Sequence, residues 1–261
     1  MSAAALLVTT LACALGAMVL LWLLSLALRD ASIVDIWWGP GIAGLGVAAW
    51  WLADGDSPRR LLLVGMGLAW GLRLGAYLLW RNAGRGEDPR YQAMRRRHGP
   101  RFASVSLATV FGLQGVLQWW VSLPLQLGQL APQATGLGAL DVLGVALFAA
   151  GLGFEAVGDL QLARFRADPA NAGRVMDRGL WRYTRHPNYF GDCVAHWGIF
   201  TVALATPYGA LGVLSPTLMT FLLLRVSGVV LLERTIGRRR PAYTAYQRRT
   251  SAFLPLPPRR D

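Results

Sequence analysis

The chain reads Arg182-Tyr183-Thr184-Arg185-His186-Pro187-Asn188-Tyr189-Phe190-Gly191-Asp192 immediately before an apolar run that extends from Cys193 to Leu204. The first segment gathers cations, hydrogen-bonding groups and an aromatic pair, and the second has the composition of a hydrophobic helix. Basic side chains beside an apolar helix are typical of the boundary between a bilayer and the cytoplasm. The same alternation recurs along the sequence, so we expect an all-α, polytopic membrane protein.

The composition supports a membrane protein. Of the 261 residues, 54% are hydrophobic and 15% are charged, whereas a soluble domain carries about 25% charged residues. The length of apolar sequence needed to cross a bilayer is roughly 20 residues. Seven runs approach or reach it, near residues 3–28, 32–53, 61–80, 106–130, 138–161, 191–206 and 208–232. Because only a turn at Pro207 separates the last two runs, they are expected to form a helical hairpin.

The arginines predict the orientation of these seven helices. The net charge of +12 comes entirely from arginine, since the chain contains no lysine. Arginines concentrate after spans three, five and seven, whereas the opposite loops are expected to hold only Arg59 and Arg60, offset by Asp54 and Asp56. Basic loops stay in the cytoplasm, so the N-terminus is expected outside and the C-terminus inside. The basic segments are short loops between spans and therefore give no indication of nucleic-acid binding.

Ionisable residues inside the spans are the first candidates for a functional site, because charged groups at membrane depth are costly. They are Asp35, Arg73, Glu155, Asp159, Asp192, His196, Arg225 and Glu233. Two pairs, Glu155 with Asp159 and Asp192 with His196, are spaced to share one helical face. Structural ion pairs would explain any single residue. The concentration of the set in the cytoplasmic halves of the spans instead favours a polar cavity that opens to the cytoplasm.

Other patterns carry less weight. Gly39-Pro40-Gly41-Ile42-Ala43-Gly44 matches the dinucleotide fingerprint, but it follows no strand and lies in a span, so helix packing is its expected role. The two cysteines and three histidines lack the spacing of metal ligands, and no metal site is expected.

The resemblance to a known family is carried mainly by the last hundred or so residues. The matching residues are Glu155, Asp159, Arg166, Arg174, Gly179, Leu180, Tyr183, Asn188, Gly191, Asp192 and Trp197, followed by Glu233, Pro241, Tyr243, Tyr246, Arg249, Phe253 and Pro255. The first half matches more loosely, from Ser32 to Gly39 and from Arg73 to Tyr91. In this pattern the chain resembles the steroid 5-alpha-reductase family, including its bacterial branch. Membrane methyltransferases that act on isoprenylcysteine share the Arg-His-Pro-x-Tyr motif.

The resemblance implies an NADPH-dependent oxidoreductase of the 3-oxo-5-alpha-steroid 4-dehydrogenase type. Such an enzyme transfers hydride to the β-carbon of a C=C bond conjugated to a ketone, and its substrate is a hydrophobic steroid or another enone. We expect one membrane domain, with residues 1–105 on the substrate side and residues 106–261 carrying the NADPH-binding catalytic region. The location implied is a bacterial inner membrane, with the lipid bilayer as partner and the cofactor site facing the cytoplasm. No nucleic-acid partner and no obligatory protein partner are expected.

The resemblance also implies the residues that contact NADPH. They are Arg81, Glu155, Asp159, Arg166, Arg174, Tyr183, His186, Asn188, Asp192, Glu233, Arg239 and Tyr246. Arg166 and Arg174 suit the phosphates, since a guanidinium group can bind phosphate in a bidentate manner. Asp159 is expected on ribose or adenosine hydroxyls, and Asn188 with Tyr183 on the nicotinamide half.

Reduction of an enone also needs a hydrogen-bond donor at the ketone oxygen, where negative charge develops. The family uses an acidic residue of span two, which Asp35 matches, and a buried carboxyl group can stay protonated and donate. The family's tyrosine in span three aligns with Trp70, one turn before Arg73, and Tyr77 is the alternative. The catalytic candidates are therefore Asp35, Trp70, Arg73 and Tyr77, and the identity of the proton donor stays open.

Two other classes of protein stay open. A membrane methyltransferase would use S-adenosylmethionine, which carries no phosphate and needs fewer arginines. A lipid-binding or scaffold protein without enzymatic activity would need no cluster of ionisable groups that face one cavity.

Overall fold

The computed structural model describes residues 1–55, 57–130, 136–226, 228–229, 233 and 242–259. Its α-helices are α1 (Ala3–Leu28), α2 (Ile33–Leu52), α3 (Pro58–Asn82), α4 (Pro89–His98), α5 (Phe102–Ser106), α6 (Leu113–Val121), α7 (Leu123–Leu127), α8 (Ala139–Ala167), α9 (Pro187–Ala203), α10 (Leu214–Phe221) and α11 (Ala242–Arg249). Short 3₁₀ helices are Gly99–Arg101, Pro169–Asn171, Gly179–Arg182 and Gly209–Val213, and π-helical turns are Leu107–Gly112 and Leu222–Val226. The expected all-α class is confirmed for the described residues.

Six helical segments of the described chain are long and apolar enough to cross a membrane. They are Ala3–Leu28, Ile33–Leu52, Pro58–Asn82, Pro89–Val121, Ala139–Ala167 and Gly209–Val226. The expected sixth span corresponds to α9, which has 17 residues and is shorter than the roughly 20 that a perpendicular crossing needs. The count of seven spans and the orientation of the termini therefore stay predictions.

The boundaries of the expected fourth span, 106–130, are wrong. The apolar helical path in this region begins at Pro89 and ends at Val121, and α7 is a separate element. Pro124 lies in the first turn of α7, where the missing N–H of proline is tolerated, whereas a proline inside a helix removes a hydrogen bond. The new helix α7 therefore starts at Leu123, with this proline in its first turn.

The chain forms two compact units. Unit 1 comprises Met1–Asp141 and Val202–Ser215, and unit 2 comprises Val142–Thr201 and Pro216–Asp261. The division expected at residue 105 falls inside unit 1, where α6 and the π-helical turn before it pack against α1. Whether the chain acts as one membrane domain stays a prediction.

Unit 1 is built around the close crossing of α2 and α3. A Cβ atom added at Gly39 would lie 2.5 Å from the carbonyl oxygen of Gly71, so the two backbones touch where both side chains are absent. The glycine pattern at residues 39–44 thus serves helix packing at Gly39, as expected. Tyr91 and Phe111 belong to an apolar cluster in the same unit, together with Val34.

Arg59 and Arg60 were expected in the loop before span three, and this part of the prediction is wrong, whereas the side of the membrane on which they lie stays a prediction. Both lie in the first turn of α3, after Ser57, whose hydroxyl accepts a hydrogen bond from the Arg59 amide. Both side chains are buried. Arg59 Nε lies 2.7 Å from Asp141 Oδ1, and Arg60 Nη2 donates to the carbonyl oxygens of Trp50 and Ala53. Pairing with a carboxylate and with carbonyl oxygens offsets the cost of burying the two cations.

Unit 2 contains the crossing of α8 and α9, again at glycines. A Cβ atom at Gly151 would lie 2.3 Å from the Ala195 amide nitrogen, and one at Gly191 would lie 2.4 Å from the Glu155 amide nitrogen. The end of the chain returns to the segment before α9. Leu256 donates a backbone hydrogen bond of 3.0 Å to Tyr183.

Candidate functional site

Buried ionisable side chains gather in unit 2 on the two crossing helices α8 and α9. Glu155, Asp159, Asp192 and His196 are each between 3 and 6% exposed. His196 Nδ1 lies 3.1 Å from Asp192 Oδ1, one helical turn away. Because buried ionisable groups are costly unless they are paired or hydrogen-bonded, this arrangement marks the crossing as a candidate polar site.

A hydrogen bond joins the two helices at this site. Asn188 Nδ2 donates to Asp159 Oδ1 over 3.1 Å, although the two residues are 29 positions apart in the chain. Asn188 lies in the first turn of α9. The helices can approach there because Gly158 has no side chain, and a Cβ atom at Gly158 would lie 3.2 Å from the Asn188 amide nitrogen. The structure therefore brings together two residues that the sequence assigns to the same cofactor.

Glu233 is the centre of a second polar cluster in unit 2. Its two carboxylate oxygens accept hydrogen bonds from Arg185, from Nε at 2.7 Å and from Nη2 at 3.0 Å. His186 Nε2 lies 3.1 Å from Glu233 Oε1, and Gln247 Nε2 donates to Oε2 over 3.1 Å. Tyr243 contributes a longer hydrogen bond of 3.4 Å. Glu233 thus ties the segment before α9 to α11.

The electrostatics of Glu233 favour its ionised form. Glu233 lies beyond the apolar segment Gly209–Val226. Burial alone would raise the pKa of Glu233, but hydrogen bonds from His186 and Arg185 and the charge of Arg185 outweigh burial and lower the pKa to about 2. The carboxylate is therefore charged at neutral pH and holds Arg185 in place.

Tyr246 and Tyr183 are positioned by the backbone. The hydroxyl group of Tyr246 donates to the carbonyl oxygen of Trp181, and the indole of Trp181 donates to the carbonyl oxygen of Gly158 over 3.0 Å. Tyr246 therefore supports the segment that precedes α9. Tyr183 is 44% exposed, and its carbonyl oxygen accepts the hydrogen bond from Leu256.

The predicted phosphate contacts are exposed arginines of unit 2. Arg166 lies in the last turn of α8, and Arg174 follows the 3₁₀ helix Pro169–Asn171. Both are exposed. Arg239, which the sequence also assigns to the cofactor, lies outside the described residues.

In unit 1, Asp35 lies in the first turn of α2 and accepts two hydrogen bonds. The phenol of Tyr91 donates to Oδ1 over 2.8 Å, and Arg90 Nη2 donates to Oδ2 over 2.8 Å. Among the described residues these are the hydrogen-bond partners of Asp35, rather than Trp70 or Tyr77. The carboxyl group thus lies between a phenol and a guanidinium group, and its expected protonation stays a prediction. In this contact the phenol of Tyr91 is the donor and Asp35 Oδ1 the acceptor.

Tyr91 is held beside Asp35 by a chain of contacts at the start of α4. Asp88 caps this helix by accepting from the Arg90 amide. The Asp88 amide in turn donates to the hydroxyl group of Ser32 over 2.9 Å. The loop before α4 is therefore fastened to the start of α2. The sequence analysis names Tyr91 only as the last residue of a loosely matching segment and assigns it no role. The residues around a tyrosine in the sequence do not indicate which tyrosine contacts Asp35.

The remaining catalytic candidates lie on α3. Trp70 is completely buried. The guanidinium groups of Arg73 and Arg81 lie 6.0 and 5.8 Å from the ring centre of Tyr77. Such distances allow cation–π attraction, and the spacing of four residues places the two cations on either side of the ring along the helix. Tyr77 therefore belongs to an arginine–aromatic cluster.

Comparison with known protein families gives a match over most of the chain. No curated protein and no solved structure matches the chain. Residues 21–250 match a family described as "Protein of unknown function (DUF1295)", which is associated with steroid 5-alpha-reductase-like membrane proteins. The match covers most of the 261 residues. The chain therefore belongs to the DUF1295 family.

Proposed function

We propose that the protein is a membrane reductase that uses NADPH to reduce the C=C bond of a hydrophobic enone, with a 3-oxo-Δ4-steroid as the substrate class. The observation that carries the proposal is the hydrogen bond between Asn188 and Asp159. It links two residues that the resemblance assigns to NADPH, and it lies in a cluster of buried ionisable groups at the α8–α9 crossing.

The chemistry of the side chains in unit 2 fits such a cofactor. Exposed Arg166 and Arg174 would bind phosphate oxygens, for which guanidinium groups have the matching geometry. The Asp159 carboxylate would accept from a hydroxyl group of the cofactor, while the Asn188 amide fixes one of its oxygens. Tyr183, with an exposed ring, would contact an aromatic or amide group. When bound, NADPH supplies the hydride.

The Tyr91–Asp35 pair supplies the donor that the ketone needs. As hydride reaches the β-carbon, charge develops on the ketone oxygen, and a preorganised donor stabilises it. The phenol of Tyr91 donates its single O–H to Asp35, which Arg90 holds from the other side. With an enone bound, this O–H would turn from Asp35 to the ketone oxygen. Trp70 is less suited to this role, since its indole N–H cannot act as a proton source and its side chain is completely buried.

The charges of the two possible cofactors support the reductase over a methyltransferase. NADPH carries three phosphate groups, whereas the reactive centre of S-adenosylmethionine is a sulfonium cation. Arginine makes up all of the positive side-chain charge of this chain, and the net charge is +12. A strongly basic protein attracts a polyanion and gives no such advantage to a cationic donor.

The proposal includes seven spans and a cofactor site that faces the cytoplasm of a bacterial inner membrane. Supporting it, the arginines after spans three, five and seven would then share one side of the membrane, as the distribution of positive charge favours. This arrangement requires α9 to cross despite its 17 residues. Flanking polar residues and local thinning of the bilayer accommodate a short span at a modest cost.

The test is oxidation of NADPH by the purified protein in detergent, with and without a 3-oxo-Δ4-steroid such as progesterone. Steroid-dependent oxidation and a saturated ketone product are expected. The variant Asn188→Ala should lose NADPH affinity, whereas Arg101→Ala, an exposed arginine of unit 1, should keep it. If NADPH binds but is not oxidised with the steroid, the reductase proposal stands and other enones should be tested as substrates. The absence of both binding and oxidation would contradict the proposal and make S-adenosylmethionine the next ligand.

A further inference from the structure

Unit 2 contains a depression that is lined by arginines. None of the residues expected to contact the cofactor lines it. It has a volume of about 380 Å³ and is lined by Arg178, Arg182 and Arg249, with Asp177 and Thr250 beside them. These residues lie outside every segment that is apolar enough to span a membrane. The depression is therefore in contact with water or with lipid headgroups. We define it as the Arg178 depression.

Two of its cations are available to a ligand. Among the residues that the structure describes, the guanidinium groups of Arg178 and Arg182 make no hydrogen bond and no ion pair. Both side chains are exposed. The third cation, Arg249, is paired with Asp177. The depression thus contains three guanidinium groups and one carboxylate, so it carries a positive charge that the protein itself does not neutralise.

The turn that carries the two free cations is held in one conformation. Gly179 has a φ of +57°, a left-handed conformation that favours glycine. A Cβ atom there would lie 2.4 Å from the amide nitrogen of Gln161. The same glutamine side chain accepts from the Leu180 amide over 3.0 Å. Because Gln161 lies on α8, the turn between Arg178 and Arg182 is anchored to that helix.

The opposite wall is formed by the end of the chain and is also held in place. The Arg259 amide donates to the carbonyl oxygen of Arg249 over 2.8 Å. Thr184 pairs with Ser251 in an isolated bridge. The segment that bears Arg249 is therefore fixed to the segment that bears Arg182. A concave, preorganised group of guanidinium donors costs little to order when a ligand binds.

We propose that the Arg178 depression binds a phosphomonoester group. A phosphomonoester carries a charge of about −1.5 to −2 near neutral pH and has three strong acceptor oxygens, which matches a set of uncompensated guanidinium groups. Two sources of this group are compatible with the position of the depression. One is the 2′-phosphate of a nucleotide such as NADPH, and the other is the headgroup of phosphatidic acid. The inference does not depend on the reductase activity, because either source has the same chemistry.

The experiment uses the full chain, purified in detergent for the nucleotide and in phosphatidylcholine nanodiscs for the lipid. Calorimetry compares 2′,5′-ADP with adenosine, which carries no phosphate. Native mass spectrometry measures retention of phosphatidic acid. The double variant Arg178→Ala/Arg182→Ala is compared with Arg101→Ala, which removes an exposed arginine elsewhere. Because neither Arg178 nor Arg182 has a partner among the described residues, we expect the double variant to fold, and its thermal unfolding checks this.

Loss of about tenfold or more in affinity for 2′,5′-ADP, with adenosine unchanged, would support the site and identify a nucleotide as its source. Such a loss corresponds to about 1.4 kcal/mol. Loss of phosphatidic acid retention, with 2′,5′-ADP unchanged, would support the site with lipid as its source and leave the reductase proposal intact. If the double variant matches Arg101→Ala for both probes, the inference is wrong. Failure of the reductase proposal would be seen separately, as the absence of both NADPH binding and steroid-dependent NADPH oxidation by the unmodified protein.

Discussion

The phenol of Tyr91 donates a hydrogen bond of 2.8 Å to Asp35 Oδ1, and Arg90 holds the other oxygen of the same carboxylate. Tyr91 lies in the first turn of α4 and Asp35 in the first turn of α2, and the two residues are 56 positions apart in the chain. In the proposed reaction, the arrangement makes Asp35 the positioning group and Tyr91 the donor to the ketone.

The first prediction separates Tyr91 from Tyr77. Tyr91→Phe keeps the ring in its apolar cluster and removes only the hydroxyl group. We expect kcat for the enone to fall by roughly 10²-fold, as for the loss of one preorganised donor, with NADPH affinity unchanged. Tyr77→Phe, the matched variant, should keep kcat within a few-fold because the ring still lies between Arg73 and Arg81. Steady-state kinetics of both variants checks this, and the reverse pattern would assign the donor role to Tyr77.

The second prediction concerns the coupling of Asn188 to Asp159. A double-mutant cycle with Asn188→Ala and Asp159→Ala should show a coupling free energy of about 1 kcal/mol in thermal stability, the usual contribution of such a hydrogen bond. The same cycle, measured by NADPH binding, should be non-additive. Additive effects on affinity would show that the two residues do not contribute to one binding site.

The third prediction concerns the dependence of stability on pH. The folded pKa of Glu233 is lowered from 4.5 to about 2, so the carboxylate stabilises the folded state above the unfolded pKa. This contribution is lost as the pH falls from about 4.5 to 2, because the unfolded state takes up the proton first. Glu233→Gln should therefore be less stable than the unmodified protein at neutral pH, and the difference should shrink over this range. Thermal unfolding at a series of pH values measures it, and a difference that is constant with pH would contradict the assignment.

The fourth prediction tests the α8–α9 crossing with two matched glycine variants. Gly191→Ala places a methyl group 2.4 Å from the backbone of Glu155, whereas nothing lies within 4 Å of a Cβ atom at Gly153. We expect Gly191→Ala to destabilise the protein by about 1–3 kcal/mol, the typical cost of overpacking, and Gly153→Ala to be neutral or slightly stabilising. Equal stabilities of the two variants would show that the helices do not approach at Gly191.

The fifth prediction concerns topology. With Cys13 and Cys193 replaced by alanine, single cysteines at the exposed positions Asp54 and Arg85 should react with impermeant thiol reagents from opposite sides of the membrane. Asp54→Cys should be labelled from outside, and Arg85→Cys only after the membrane is opened. Labelling of both from one side would contradict the proposed orientation.

The sequence alone determined the helical class and most of the helix positions. A span is specified by composition and length within one segment, and its ends by local signals such as Ser57 before Pro58 or Asp88 before Pro89. The sequence also predicted that Asp159 and Asn188 serve one site, although the prediction rests on resemblance. Where local signals were less clear, as at Pro124, the boundary prediction failed.

The tertiary structure alone decided which distant side chains pair. Asp141 was not expected to neutralise Arg59, and Tyr91 was not expected to hold Asp35. It also grouped Arg178 and Arg182 with Arg249 from the end of the chain. Such pairings depend on how loops return and on where helices cross, and both follow from the packing of the whole unit. Spans and helix ends could be read from the sequence because their physical causes lie within a few residues of each other, whereas the causes of the polar contacts lie tens of residues apart.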